Sequence, residues 1–341
     1  MNCMSEMVFD CEKNLELILV YSLLSKNEVK VAVKRRQKMA KSFAKLLQKI
    51  SHGSAYSVSE GYVTFTPGSL KGGEVAIQCE EEISMYIEPI LVLCPFVIEP
   101  LKIKFKGITN GKLCVDLIRI AHFGVLRGFG VKECEIVVKK RGFGPIGKGE
   151  VVFTVGSPGK ISTIVLEKPE KIVKVRGLVV SSRVSSIPVK EMTETIKELM
   201  GDVSNTKVFS NMSNRLDSGP SPGFQCAVFA ESKNGVYYSV MSGEKLTPRE
   251  TATAACKELL LSIRHGGVFD KKLLYLALSL MSLSSTSIGS LWVGKVDSDV
   301  KVILDLLKQF FGFEYEVRRS GDGDVVYGAG CGLSRISRQL K

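Results

Sequence analysis

The chain has 341 residues, 45% of them hydrophobic and 24% charged, proportions that exclude a disordered chain and leave room for two domains around a sizeable core. Its formal net charge of +12 points to a polyanionic partner, RNA being the commonest inside cells. Nine scattered cysteines without a C-x-x-C, and no histidine pair at ligand spacing, argue against zinc and for free thiols in a reducing compartment.

The first residues include Asp10 and Glu12 and lack the basic and apolar regions of a secretory leader. An apolar helix is expected over 15–23 and a short strand over 29–33. The helix that follows carries the most informative charge pattern. No acidic residue occurs between Glu28 and Glu60, and Lys34, Lys38, Lys41, Lys45 and Lys49 share one helical face, with Arg35 and Arg36 at its first turn. Met39, Phe43, Leu46, Leu47 and Ile50 fall on the opposite face and should pack inward. The stripe reads either as a solvated face or as a phosphate track binding RNA with steep salt dependence.

Gly53, a strand over 56–58, Gly61 and a strand over 63–65 complete a first unit. A second holds an apolar helix over 83–93, a strand over 101–105, a helix over 117–126, Gly130, and strands over 134–138 and 151–155. Its apolar run to residue 98 is broken by Glu88, Pro89 and Pro95 and is too short to span a bilayer, so no membrane partner is expected. A third holds helices around 273–281 and 303–307, a strand over 291–293, Gly312, and strands over 315–317 and 325–327. Each unit therefore reads as two helices and about four strands, an α/β repeat with helices over one sheet face.

The interval from Gly130 to Gly312 is more than twice that from Gly53 to Gly130, which implies an insert in the third unit. A helix opening at Ser185, a polar stretch over 205–223, strands over 226–230 and 236–240, and a helix capped by Thr247 and Glu250 compose a small α/β domain. The expected division is 1–183 plus 269–341 for the repeat domain and 184–268 for the insert.

Between the strands over 135–138 and 151–155 runs Arg141-Gly142-Phe143-Gly144-Pro145-Ile146-Gly147-Lys148-Gly149. Its G-x-G-x-x-G is a decoy, because a dinucleotide fingerprint opens a helix and this loop enters a strand. Two readings stand: an anion site built on the loop's N–H groups, Gly147, Gly149 and the cluster Lys139, Lys140, Arg141 and Lys148, or a hairpin whose lysines guard a strand edge. The acid pairs Asp297/Asp299 and Asp322/Asp324 could hold Mg²⁺, but Gly321-Asp322-Gly323-Asp324 reads as a turn, and no metal or other cofactor is expected. His122 lies on an apolar helix and reads as structural. The basic tail, Arg335, Arg338 and Lys341, could reach RNA or an acidic partner.

The loop resembles the Arg-Gly-x-x-Pro-x-Gly-Gly-Gly-x-Val signature of the RNA 3′-terminal phosphate cyclase family, with Lys148 in place of the middle glycine. The stretch 65–73, with Pro67, Gly68, Gly72 and Gly73, is similar to an early turn of the same family. Ser221-Pro222-Gly223-Phe224, Glu231-Ser232, Thr247-Pro248 and His265-Gly266-Gly267 resemble its ribosome-assembly branch. The resemblance implies three repeated two-helix, four-stranded-sheet units of the cyclase/EPSP-synthase type with a thioredoxin-like insert. It implies that Asp299 stands where cyclases carry the histidine that takes up a nucleotide, in the cleft beside Gly147. The cyclases' Gly-Gly-Gly-Gln turn is replaced by Cys11-Glu12-Lys13-Asn14. A carboxylate repels the phosphate that an imidazole attacks, so cyclase activity should be lost.

The resemblance further implies a nucleolar factor in small-subunit (18S) rRNA processing. Its partners would be a ribosome-assembly GTPase, precursor rRNA and the small-subunit processome, and outside that complex it would be monomeric. The alternatives are a residual cyclase or a precursor-rRNA endonuclease. Of the Arg-Asp-x-Lys run implicated in the latter, Asp305-Leu306-Leu307-Lys308 keeps only the lysine.

Overall fold

The computed structural model describes residues 7–10, 12–156, 161–201, 203 and 206–334; Cys3, Cys11 and the tail with Arg335, Arg338 and Lys341 lie outside them. The first sheet draws on β1 (Met7–Phe9), β2 (Val29–Ala32), β4 (Ala55–Ser59) and β5 (Tyr62–Thr66), with α1 (Leu15–Ser25) and α2 (Gln37–Lys49) in the connections. A two-strand ladder, β3 (Ser51–His52) with β6 (Ser69–Leu70), follows α2. The second sheet comprises β7 (Gly73–Glu82), β8 (Leu101–Ile108), β9 (Cys134–Lys140) and β10 (Gly149–Val155). Here α3 (Ile83–Ile90) and a split helix, α4 (Val115–Leu117) and α5 (Phe123–Gly128) around a π turn, fill the connections.

The third sheet starts at β11 (Val165–Leu166) and is then interrupted. β12 (Lys174–Ser182), α6 (Ser186–Met200), β13 (Lys207–Ser213), β14 (Gly223–Glu231), β15 (Val236–Ser242) and α7 (Pro248–His265) intervene. The sheet resumes through α8 (Leu274–Leu283), β16 (Ile288–Gly294), α9 (Ser298–Phe311), β17 (Tyr315–Ser320) and β18 (Gly323–Ala329). These three sheets are wired alike, in the orders β1-β2-β5-β4, β7-β8-β10-β9 and β11-β16-β18-β17, each with one parallel pair followed by two antiparallel ones.

Their helices meet in one core. In α1 nine of eleven residues are buried, and in α8 nine of ten, so neither helix has a polar side to offer to water. α1 packs on α2, α3 and α9, bringing all three sheets' helices together. Tyr21 of α1 hydrogen-bonds Ser279 of α8 at 2.5 Å, and its ring packs tilted against Phe310 and edge-on against Phe311 of α9.

The interrupting segment forms its own sheet, β13-β12-β14-β15, with β12 parallel to β13, and a second core among Val179, Met192, Ile196, Val228 and Leu259. A boundary at 184 therefore cuts off the strand on which this sheet is built, since β12 pairs with both β13 and β14. The start of α6 marked that boundary in the sequence, but strand pairing sets it. Other faces of the segment join the rest of the molecule: Ala227, Phe229 and Tyr238 enter the main core, and Val180 packs with Cys114 and Phe143.

Backbone contact clinches the attachment. The Gly219 N–H donates to the Arg141 carbonyl at 2.6 Å, and a Cβ at Gly219 would lie 1.8 Å from the Gly147 carbonyl oxygen. Gly219→Ala must push the two segments apart. It should cost about 1–3 kcal/mol, read as a lower urea midpoint by circular dichroism, and an unchanged midpoint would refute this close-packing account.

Candidate functional site

The helix α2 follows its pattern closely. Met39, Ala40, Phe43, Ala44, Leu46 and Leu47 are buried, while Lys34, Arg35, Lys38, Lys41, Lys45 and Lys49 are exposed. Its basic start is offset from a distance, because the Glu12 carboxylate accepts the N–H groups of Lys34 and Arg35 at 3.0 and 3.1 Å. Those bonds, that from Arg35 foremost, hold Glu12 below its ordinary pKa. Arg36 differs from its neighbours: it is half-buried, paired with Glu16 at 2.8 Å and with Glu81 at 3.1 Å. It braces α2 against α1 and β7 rather than facing a ligand. Lys38, Lys41, Lys45 and Lys49 line a groove of about 380 Å³ between α2 and the edge strand β7, where Lys49 Nζ donates to the Ala76 carbonyl at 2.8 Å.

Three N–H groups of the glycine loop are taken up inside the fold. Gly142 donates to Thr109 Oγ1 at 3.0 Å, Ile146 to Ser221 Oγ at 3.2 Å and Gly147 to the Phe143 carbonyl at 2.9 Å. Gly147 and Gly149 are buried, and a Cβ at Gly149 would strike Thr109 and the Gly142 nitrogen. Gly147 and Lys148 take φ of +67° and +58°, the left-handed region in which glycine rests without strain and lysine does not. Lys139 and Lys148 are exposed and Lys140 half-buried.

Arg141 is 3% exposed and lies inside the fold. Its guanidinium donates to Asp116 at 2.5 Å and to Asn110 Oδ1 at 3.2 Å, and the Asn110 amide donates in turn to Gln225 Oε1 of β14 at 2.8 Å. Burial, the largest single influence, raises the Asp116 pKa, but the Arg141 charge together with the hydrogen bonds from Arg141 and Cys114 outweighs it and holds the carboxyl below its ordinary value. The loop thus fastens the inserted segment to the second sheet, and its hairpin reading fits the hydrogen bonds better than the anion reading.

Asp299 lies in the first turn of α9, where the Asp297 carboxylate caps the helix by accepting the N–H groups of Asp299 and Val300 at 3.0 and 3.1 Å. Asp299 pairs with Lys13 Nζ at 2.7 Å and Lys271 Nζ at 3.8 Å, while Asp297 also pairs with Lys271. The hydrogen bond and charge of Lys13, then the charge of Lys271, hold the Asp299 pKa below its ordinary value. The surrounding cleft, about 370 Å³, is lined by Lys13, Asn14, Lys271, Lys272, Tyr275 and Asp299 among others, and residues 141–149 are not part of its wall. The expectation that Asp299 stands beside Gly147 is therefore corrected. Gly147 packs instead on Gly107, Ile108 and Gly219. Lys271, and the pairing of Lys13 and Lys271 with Asp299, went unnoticed in the sequence because the three are far apart along the chain.

Other candidates have structural partners. Asp324 pairs with Arg319 at 3.3 Å and accepts the Val296 N–H at 2.9 Å, and Lys308 pairs with Glu314 at 3.5 Å. His122 is fully buried against Glu88, 3.0 Å from its Oε1.

The sequence model of the RNA 3′-terminal phosphate cyclase family matches residues 10–317. The chain belongs to that family. It is 29% identical over 324 residues to the RNA 3′-terminal phosphate cyclase-like protein of Homo sapiens, covering 88% of this chain and 87% of that one. The rRNA processing protein rcl1 of Schizosaccharomyces pombe is 29% identical over 317 residues, with the same coverage of 88% and 87%. The rRNA processing protein RCL1 of Saccharomyces cerevisiae is 26% identical over 357 residues, with 97% of each chain covered. For this cyclase-family chain the cleft acquires a second meaning. Lys13 and Asp299, the two places where the resemblance expects this chain to depart from the cyclases, meet there as an ion pair.

Arg141→Gln leaves Asp116 buried without a countercharge and should cost about 3–5 kcal/mol, measured by urea unfolding. The acid limb gives a sharper reading. With a depressed folded pKa, Asp116 stabilises the parent above its unfolded pKa of about 3.9, and that stability is lost as the pH falls toward the folded value. In Arg141→Gln burial outweighs the hydrogen bonds that remain and raises the pKa, so stability should rise as the pH falls from that raised value toward about 3.9, above the window in which the parent loses stability.

Proposed function

We propose that this protein is a catalytically degenerate cyclase-family member that acts in rRNA processing as a basic binding factor. The reading is supported above all by Asp299, which the resemblance sets at the cyclases' nucleophile position and which is a carboxylate held ionised by Lys13 and Lys271. An ionised carboxylate repels an incoming nucleotide phosphate and has no imidazole nitrogen with which to form an adduct. The role in rRNA processing is supported by what the yeast relatives are called. RNA binding is supported by the exposed lysines of α2, which line an open groove and total four charges along one helix face.

The finer assignments continue this proposal. The setting is the nucleolus and the small-subunit processome, on precursor 18S rRNA, with a ribosome-assembly GTPase as protein partner and a monomer outside the complex. The fold is three copies of one α/β unit with a thioredoxin-like insert, the likeness of the three sheets' strand orders supporting the copies. Because β12 belongs to the insert sheet, the insert is drawn to begin between β11 and β12 and to end after α7, with the remainder forming the repeat domain.

Incubation with α-labelled ATP or GTP and Mg²⁺ should leave the protein unlabelled, and a 3′-phosphorylated oligonucleotide should keep its open end. An acid-labile phosphoramidate, or cuts in precursor rRNA, would overturn the non-catalytic reading. Lys41→Glu, Lys45→Glu and Lys49→Glu together should lower RNA affinity about tenfold or more near 0.1 M salt and flatten the salt slope by roughly 2–3, read by filter binding. Unchanged affinity and slope would end the RNA role of α2.

A further inference from the structure

The second sheet carries a second row of lysines that the α2 pattern does not include. β8 buries Leu101, Ile103 and Phe105 and turns Lys102, Lys104 and Lys106 outward, as strand alternation requires. β7, the sheet edge, pairs in parallel with β8, setting Glu74, Ala76 and Gln78 beside Lys102, Lys104 and Lys106. On the other side of β7 lies α2, where Lys49 Nζ donates to the Ala76 carbonyl at 2.8 Å and Ser42 Oγ to the Gln78 carbonyl at 3.3 Å. Reading across, Lys49, Ala76 and Lys104 fall on one line and Ser42, Gln78 and Lys106 on the next. Two lysine rows therefore run side by side in opposite chain directions with one strand between them. At about 1.5 Å per residue the helix row from Lys38 to Lys49 spans roughly 16 Å. At about 3.3 Å per residue the strand row from Lys102 to Lys106 spans roughly 13 Å.

We propose that the α2 and β8 lysine rows together form one docking surface for an RNA stem, gripping its phosphates without reading its sequence. The proposal rests on the RNA-binding reading above and names the form of RNA. A single strand bound without sequence preference needs aromatic side chains to stack its bases. Apart from the acids Glu74, Glu80 and Glu150, the outward positions between and beside the rows are Ala76, Gln78, Val152 and Thr154, and none of the seven is aromatic. Duplex RNA is held through backbone phosphates and shape, which needs only placed cations. An acidic peptide added to the β7 edge would require the outward carbonyls of that strand, and Lys49 and Ser42 already occupy two of them.

The strand row is partly masked. Glu74 pairs with Lys104 at 2.6 Å and Lys102 at 3.3 Å, and Glu150 with Lys106 at 3.3 Å. All these side chains are 43–60% exposed, so the pairs hold weakly and a phosphate can take the lysines over. Glu74 is thus a competitor for the same cations that the stem would bind.

The test compares a stem of about 16 base pairs with a single strand of equal length, across a salt series. Glu74→Gln, a near-isosteric change, should tighten stem binding several-fold and steepen its salt slope by about 1–2. Lys102→Glu, Lys104→Glu and Lys106→Glu combined should weaken the stem about tenfold or more and the single strand much less, with circular dichroism checking that the fold persists. If the α2 reversal weakens RNA but neither the β8 reversal nor Glu74→Gln alters the stem, this inference is overturned and the RNA role of α2 stands. If no variant changes RNA binding, both fail. Equal losses for stem and strand, or tighter binding to polyglutamate than to the stem, would also overturn it.

Discussion

A helix without a polar side must be covered on every side, and this chain contains two, α1 and α8. They come from opposite ends of the chain and are joined by the Tyr21–Ser279 hydrogen bond in the interior. Covering α1 takes α2, α3 and α9, each sewn into a different sheet, while α8 packs on α9 and α5. The three sheets are therefore drawn around a common helical centre, which leaves outer sheet faces and helix edges as the ground on which ligands can be met. This is why the candidate surfaces are rims and grooves and not an enclosed pocket.

Much of that plan was legible from periodicity. The α2 residues fell on the expected faces because lysines and apolar residues alternate at helical spacing over thirteen residues. What escaped were edge strands. β1 and β11 are only three and two residues long, and β7 and β13 are edges whose outward positions are polar enough to read as loop. Their pairing is decided by the neighbouring strand, which a local window does not contain. β12 is apolar enough to read as a strand, yet its partners lie beyond α6, so its membership in the inserted sheet could not be read locally.

The same reasoning explains the site residues. Arg36 looks like one more cation of a basic helix until Glu16 and Glu81 are brought to it, and Arg141 like a loop cation until Asp116 is. Both partners come from other elements, and in each case a predicted surface charge becomes an internal brace. The signature glycines behave similarly: Gly142 and Gly149 mark where backbone passes close to backbone, Gly219 of the inserted segment meets the Gly147 carbonyl, and that closeness fastens the segment. In this chain the family signature has an architectural role of its own.

One short segment has a consequence of its own. Glu12 holds the start of the lysine helix, and its neighbour Lys13 holds Asp299 across the cleft. A single peptide unit is thus the shared abutment of two distant regions, so a displacement that pulls Lys13 aside also strains the anchor of α2. The cleft around Asp299 and the helix that carries the positive charge cannot be repositioned independently.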